Sequence, residues 1–323
     1  MFVVGMNGSG TSMMLDSLGR HPVLFALPDE THMMPYILGQ REQFGDLSVD
    51  DNFRRYWQFA LDNLPVLRKR YRTRQQIPPN WNEFPRTAAG VFDGIFSTLA
   101  AAQNKRRWCE KTPDHIQHMA LLAKEFPESK FIHMIRDGRE VACSISRRQM
   151  RVPELVIFRW KKLVAMGQAD GAWLGDRYLE VRYEDLTADP HGEMTRICAF
   201  LGLEFDAAVV RSRMPQSPEK KRLADGELGQ ISQNPVKWPD YFDDRAVRRL
   251  EAIGGRMLAS LSYPVGNPDG DADPGAIRRS WWRLTDFIRL TRFRMRTNKN
   301  YDSLSKAARN LVFSYKSFRT KRH

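Results

Sequence analysis

Residues 2–12 read Phe2-Val3-Val4-Gly5-Met6-Asn7-Gly8-Ser9-Gly10-Thr11-Ser12. The short apolar run ending in glycine predicts a buried strand, and Met13, Met14, Leu15 and Leu18 beyond it form a helical stripe. Strand, glycine-rich loop and helix in that order make an anion cradle. Glycine lets the backbone curl, and the free N–H groups at the helix start point at the anion. Gly5 and Gly10, five apart and followed by Thr11-Ser12, have P-loop spacing, but Thr11 stands where a nucleoside triphosphatase carries lysine. Phosphate binding therefore suits Asn7, Gly8, Ser9, Gly10, Thr11 and Ser12, whereas triphosphate hydrolysis lacks the cation that answers the β/γ charge. A tight strand-to-helix turn with no ligand fits the same residues.

Working outward, the alternation continues. Residues 51–64 repeat Phe53, Tyr56, Trp57, Ala60, Leu61 and Leu64 at three and four, which predicts an amphipathic helix. Ile116–Phe126 predicts another, followed by a strand over Lys130–Ile135 closed by Arg136-Asp137-Gly138, and a further strand spans Tyr178–Tyr183. Alternating strands and helices predict an α/β fold: a P-loop-like parallel sheet flanked by helices, with its chemistry at the carboxyl ends of the strands. Arg136 at a strand end and Ser144, eight residues on and about two helical turns away, can converge on one phosphate through a guanidinium fork and a hydroxyl. A solvated basic helix start is the simpler alternative. Two anion sites on neighbouring strand ends point to a ligand with phosphates at two places.

These residues resemble the sulfotransferase family that uses 3′-phosphoadenosine-5′-phosphosulfate (PAPS). The resemblance rests on Ser9-Gly10-Thr11-Ser12, on Arg136 with Ser144, and on Val181-Arg182-Tyr183-Glu184-Asp185-Leu186 followed by Asp189-Pro190, in that order over roughly residues 1–260. It implies that the first loop holds the 5′-phosphosulfate, that Arg136 and Ser144 hold the 3′-phosphate, and that Tyr183 walls the nucleotide site. Adenosine 3′,5′-bisphosphate (PAP) is then the product, and no metal is expected in the chemistry. Within the family the nearest look is to tyrosylprotein sulfotransferases and bacterial relatives. Their acidic pair before Thr is matched by Asp29-Glu30-Thr31 after His21-Pro22, which places Glu30 on the catalytic base. Glu110-Lys111-Thr112-Pro113 implies that Lys111 stabilises the transferring sulfuryl group, and Lys237-Trp238 resembles a pair in the late cofactor loop. One departure stands out: family loops carry Arg or Lys before Ser-Gly-Thr, and Gly8 occupies that position. Either Lys111 or another cation such as Arg20 takes over there, or transfer is slow. His32 is the rival base, while His115 and His118, three apart, read as surface or core residues.

Over the 323 residues, 42% hydrophobic and 28% charged side chains describe an ordinary globular chain, and no apolar run reaches the roughly 20 residues of a membrane span. Cys109, Cys143 and Cys198 have neither disulfide nor metal-ligand spacing, which with the lack of a basic n-region and apolar h-region predicts a reducing, cytoplasmic setting. The net charge of +13 is concentrated in residues 276–323, where fourteen Lys and Arg face only Asp286 and Asp302; that balance of +12 leaves +1 for residues 1–275. Gly266–Gly275, rich in Gly, Pro and Asp, reads as an exposed hinge. The expected organisation is thus a catalytic domain over 1–265, a linker over 266–275 and a basic amphipathic helical extension over 276–323. Two stripes mark that extension, Ile277, Trp281, Leu284 and Ile288, then Leu304, Ala308, Leu311, Tyr315 and Phe318. Such helices dock on the core or lie on an anionic membrane surface, here its inner face. No reader motif accompanies the charge, so specific nucleic-acid binding is not expected. A hydroxyl acceptor, preferably carbohydrate or a lipid-linked glycan, with a tyrosine or a small molecule as the alternative acceptors, suits the basic surface; a P-loop phosphotransferase and a non-catalytic, membrane-peripheral nucleotide-binding module are the rival readings.

Overall fold

The computed structural model describes residues 1–27, 29–64, 77–213, 228–232 and 237–297. Its centre is a parallel sheet of β1 (Phe2–Gly5), β2 (Leu24–Ala26), β3 (Arg107–Lys111), β4 (Phe131–Ile135) and β5 (Tyr178–Arg182), in the order β2-β3-β1-β4-β5. Helices α1 (Thr11–Leu18), α2 (Met34–Gly39), α3 (Asp50–Asn63), α4 (Ala88–Ala101), α5 (Met119–Glu125), α6 (Gly138–Gln149), α7 (Pro153–Leu174), α8 (Tyr183–Ala188), α9 (Pro190–Leu201), α10 (Asp244–Ser260) and α11 (Gly275–Thr297) surround it. Both faces of the sheet are covered, which is why β1 and β4 are buried throughout. Successive residues alternate between the two cores: Phe2, Val4, Phe131 and Ile135 enter the larger one, and Val3, Ile132 and Met134 enter the smaller one with Met14, Leu15 and Leu18 of α1. In the larger core Phe2 stacks on Phe131 at 5.3 Å between ring centres and meets Trp108 edge-on at 5.7 Å.

The expected parallel α/β architecture is present, and two local expectations change. The helix expected over Ile116–Phe126 is divided: Pro113–His118 is a 3₁₀ turn and only Met119–Glu125 is α-helical. The turn lets His115 reach back to buried Glu110, a tertiary contact that hydrophobic periodicity does not encode.

The Gly266–Gly275 stretch is stitched into α10 rather than hanging free as a hinge. Glu251 Oε2 accepts from the Gly266 N–H at 3.0 Å, the Arg256 N–H donates to Gly270 O at 2.9 Å, and the Ala272 N–H donates to Ala252 O at 2.9 Å. Glycine permits this approach: a Cβ on Gly270 would lie 2.0 Å from Glu251 O, and one on Gly255 would lie 1.9 Å from Asn267 O. Lys161 closes the strap through Asp271 at 2.8 Å.

The first apolar stripe is helical as expected, within α11, and of the two readings open to it the structure shows it facing away from the core; the second, over Leu304–Phe318, lies outside the described residues.

Candidate functional site

The carboxyl ends of β3, β1, β4 and β5 lie side by side, and the candidate residues lie at these ends and on the segments that leave them, except Glu30, on the loop after β2, and Lys237, in a later loop. After β1 the loop turns through left-handed backbone at Gly8 (φ 94°) and Gly10 (φ 93°) and enters α1, which no side chain caps. The first turn of a helix leaves its N–H groups without intrahelical partners, so the start of α1 offers donors to an anion. Ser9 and Thr11 are buried in the turn, whereas Asn7 and Ser12 are exposed. Gly10 is pressed against Tyr183: a Cβ there would stand 2.7 Å from the ring, so the loop and the first residue of α8 fit one another only with glycine.

Arg136, at the end of β4, is buried and threaded through this corner. Its Nη1 donates to Gly8 O at 3.1 Å, its Nη2 meets Glu140 at 3.1 Å, and its Cζ lies 4.3 Å from the centre of the Tyr183 ring. Its Nε is buried without a hydrogen-bond acceptor, so the guanidinium keeps donor capacity for a ligand. Ser144 is partly exposed two turns into α6, and one turn further Arg148 donates from Nε to the Ser144 carbonyl at 3.1 Å.

Arg148 is the residue the sequence reading missed. A Cβ built on Gly8 would lie 3.7 Å from Arg148 Nη2, so a guanidinium occupies the space beside the position where family loops carry a cation. Burial and the nearby charge of Arg136 lower its pKa. Two guanidinium groups crowded together favour an anion between them. The signal was present in the spacing of four between Ser144 and Arg148 on one helix face. Arg20, the surrogate considered from sequence, sits past the far end of α1 and pairs with Asp16 at 3.0 Å.

The Lys237-Trp238 pair reaches the same corner through α6. The Trp238 N–H donates to Glu140 at 3.3 Å, and Arg139 lies 4.3 Å from the Trp238 ring centre. Burial raises the Glu140 pKa, opposed by the charges of Arg136 and Lys237. Asp137 and Arg139 are structural: Asp137 caps α6, and Arg139 bridges Asp137 and Glu251 at 2.7 Å each.

One strand away, Lys111 ends β3, in register with Val3 of β1. Its Nζ donates to Glu30 Oε1, and His32 Nε2 lies 2.8 Å from Glu30 Oε2, so both oxygens of Glu30 are engaged. Burial alone would push the Glu30 carboxyl up; hydrogen bonds from His32 and Lys111, with the charge of Lys111, overcome it and hold the carboxyl at about 2. The same contact raises the His32 pKa despite partial burial.

Beneath them lies Glu110, also missed from sequence as a participant. It is fully buried and accepts from the Thr31 hydroxyl at 2.9 Å, the Thr31 N–H at 3.3 Å, the Thr112 hydroxyl, and His115 Nδ1 at 3.0 Å. This one carboxylate ties the loop carrying Glu30 to the strand end carrying Lys111. His115 is thereby a core residue, one of the two readings open to it. Among the described residues no group of three or more His, Cys, Asp or Glu side chains is placed to hold a metal ion.

A parallel sheet with an amide cradle at one strand end, an arginine cluster at the next and a lysine–carboxylate pair alongside defines a group-transfer enzyme that handles an anionic nucleotide. A family model described as the sulfotransferase family matches residues 1–207, and the chain belongs to that family. Over 294 residues it is 25% identical to protein-tyrosine sulfotransferase 2 of Gallus gallus, a match covering 85% of this chain and 72% of that one. It is 26% identical over 180 residues to the omega-hydroxy-beta-dihydromenaquinone-9 sulfotransferase of Mycobacterium tuberculosis, covering 49% of this chain and 44% of that one. Among solved structures, the sulfotransferase domain from the curacin biosynthetic pathway has a TM-score of 0.51 at 17% identity, covering 82% of this chain and 97% of that one, a likeness of fold. The chain is a sulfotransferase, and the donor of its family is PAPS. The corner fits such a donor: it has amides for one phosphate end, and the spare Nε of Arg136 for the other.

Proposed function

We propose that this protein transfers a sulfuryl group from PAPS to a hydroxyl on a carbohydrate or lipid-linked glycan, with Glu30 as base and Lys111 as the principal electrostatic stabiliser. The observation that carries the catalytic part is the Glu30–Lys111 pair, whose lysine ends the strand next to β1 and its anion loop. PAPS supplies an activated sulfuryl group attached to a phosphate leaving group. Asn7 to Ser12 present backbone and hydroxyl donors to its phosphosulfate end, with Arg148 beside Gly8, and Arg136 and Ser144 hold its 3′-phosphate. Tyr183 and Lys237 close the nucleotide side. Glu30 receives the acceptor proton on one carboxylate oxygen as the acceptor oxygen attacks sulfur, and the bond between sulfur and the bridging phosphate oxygen breaks, its electron pair leaving with PAP. Lys111 exchanges its contact with Glu30 for the charge that grows on the transferring group, which simultaneously raises the basicity of Glu30. The basic extension supports a polyhydroxylated, anionic acceptor, and the match to an enzyme named for omega-hydroxy-beta-dihydromenaquinone-9 supports a lipid-linked one.

The direct test supplies labelled PAPS with lipid-linked glycans, free glycans and tyrosine peptides, alongside calorimetry with PAP and with Mg-ATP. Label entering a glycan hydroxyl, with PAP bound in the absence of magnesium, is the expected result. Label entering only tyrosine would overturn the acceptor class, and binding of Mg-ATP in preference to PAP would overturn the donor.

The carboxyl of Glu30 also makes a pH prediction. Its donors favour the ionised form, so removing one raises its pKa. The His32→Ala variant is expected to shift the Glu30 titration from about 2 toward the ordinary carboxylate value of about 4.3. The acid-side loss of transfer rate then begins at higher pH than in the parent. NMR titration of ¹³C-labelled glutamate, paired with a pH profile of kcat, checks both.

A further inference from the structure

The apolar stripe of α11 does not meet the core. The helix is fixed through its other side, where Trp282 is buried and Asp286 accepts from Arg151 Nη1 at 3.1 Å and from the Val152 N–H at 2.6 Å. At about 100° per residue, Trp282 and Asp286 share one side, and Ile277, Trp281, Leu284 and Ile288 share the opposite one. That opposite side is open to solvent: Ile277 is 89% exposed, Trp281 63%, Leu284 56% and Ile288 42%. An aromatic and branched apolar surface of this kind marks a docking face.

The charge around it selects the occupant. Arg278 and Arg289 are exposed along one flank of the stripe and Arg283 along the other. The helix holds a single acid, Asp286, and that acid is spent on the docked side. The face is therefore apolar along its middle and cationic along both edges, without a negative group. Guanidinium heads on aliphatic stems reach lipid phosphates while the stripe enters the headgroup–acyl boundary. A second copy of the same face would set these arginines against one another. We propose that the outward face of α11 seats on an anionic lipid bilayer surface. Residues 298–323 add further Lys and Arg against one acid, Asp302, continuing the same charge. No helix among the described residues is long and apolar enough to cross a membrane, so the contact is peripheral.

The test is independent of sulfuryl transfer. The full chain is sedimented with phosphatidylcholine vesicles, with and without about a third phosphatidylglycerol, and its solution mass is measured by light scattering. The expected result is binding to the anionic vesicles that weakens with salt. The Trp281→Glu/Leu284→Glu variant, altered only at exposed positions, is expected to keep the parent unfolding midpoint and to lose about tenfold or more of the partition coefficient. Absence of binding to anionic vesicles overturns the proposal, as does binding that the double variant retains. A dimer broken by the double variant, without vesicle binding, assigns the face to a second copy and also overturns it.

Discussion

Replacing Glu30 by Gln is expected to reduce kcat by about 10²–10⁴-fold, the usual worth of a positioned general base, while PAP binds as in the parent. The separation follows from the architecture. Glu30 stands on the loop after β2, tied to β3, whereas the groups assigned to PAP stand on the segments after β1, β4 and β5 and in the Lys237-Trp238 loop. Gln keeps the volume and can still accept from Lys111, so the variant isolates loss of the proton acceptor. Single-turnover transfer with saturating labelled PAPS, beside PAP calorimetry, measures both sides. Retention of activity within about threefold would remove Glu30 from the base role and return attention to His32.

Lys111→Ala is the second large effect, with kcat lower by about 10²–10³-fold. Lys111 is buried, its ammonium committed to Glu30, so its charge acts at low dielectric where it is worth more than at the surface. Two consequences oppose one another in the variant. The transferring group loses a cation, and Glu30 loses a donor and becomes more basic. The first dominates because charge stabilisation acts at the reacting centre, whereas only a fraction of a gain in basicity is expressed in the rate of proton transfer. Lys111→Arg is expected to recover part of the rate, and the ratio of the two variants reads the electrostatic share. A kcat equal to that of the parent in the alanine variant would place the stabilising charge elsewhere, with Arg148 first in line.

Much of this corner was legible because its signals are local. The loop from Gly5 to Ser12 and Arg136 at the end of an apolar run each sit where a strand stops, and those strands are readable from their own side chains; Lys111 was reached only through the resemblance of Glu110-Lys111-Thr112-Pro113, since no strand was expected over Arg107–Lys111. The parts that escaped reading depend on partners far along the chain. Arg148 has meaning only once α6 folds back beside Gly8, and Glu110 only once Thr31 and His115 close over it. The Gly266–Gly275 strap shows the limit of composition: glycine and proline suit both an idle connector and a segment that must lie flat on a helix backbone. Periodicity likewise located the α11 stripe without saying which face the core would take, because Trp282 and Asp286 compete for that place with an equally regular pattern.

The buried carboxylate of Glu110 has a consequence for how such an enzyme diversifies. By joining the loop of Glu30 to the end of β3, it makes the Glu30 carboxylate and the Lys111 ammonium one mechanical piece, whose spacing is set from below. Substitutions that leave these buried hydrogen bonds intact leave that spacing unchanged. A frame insulated in this manner tolerates new alcohols at its entrance while its chemistry stays in register, so acceptor preference and catalytic competence are free to change at different rates.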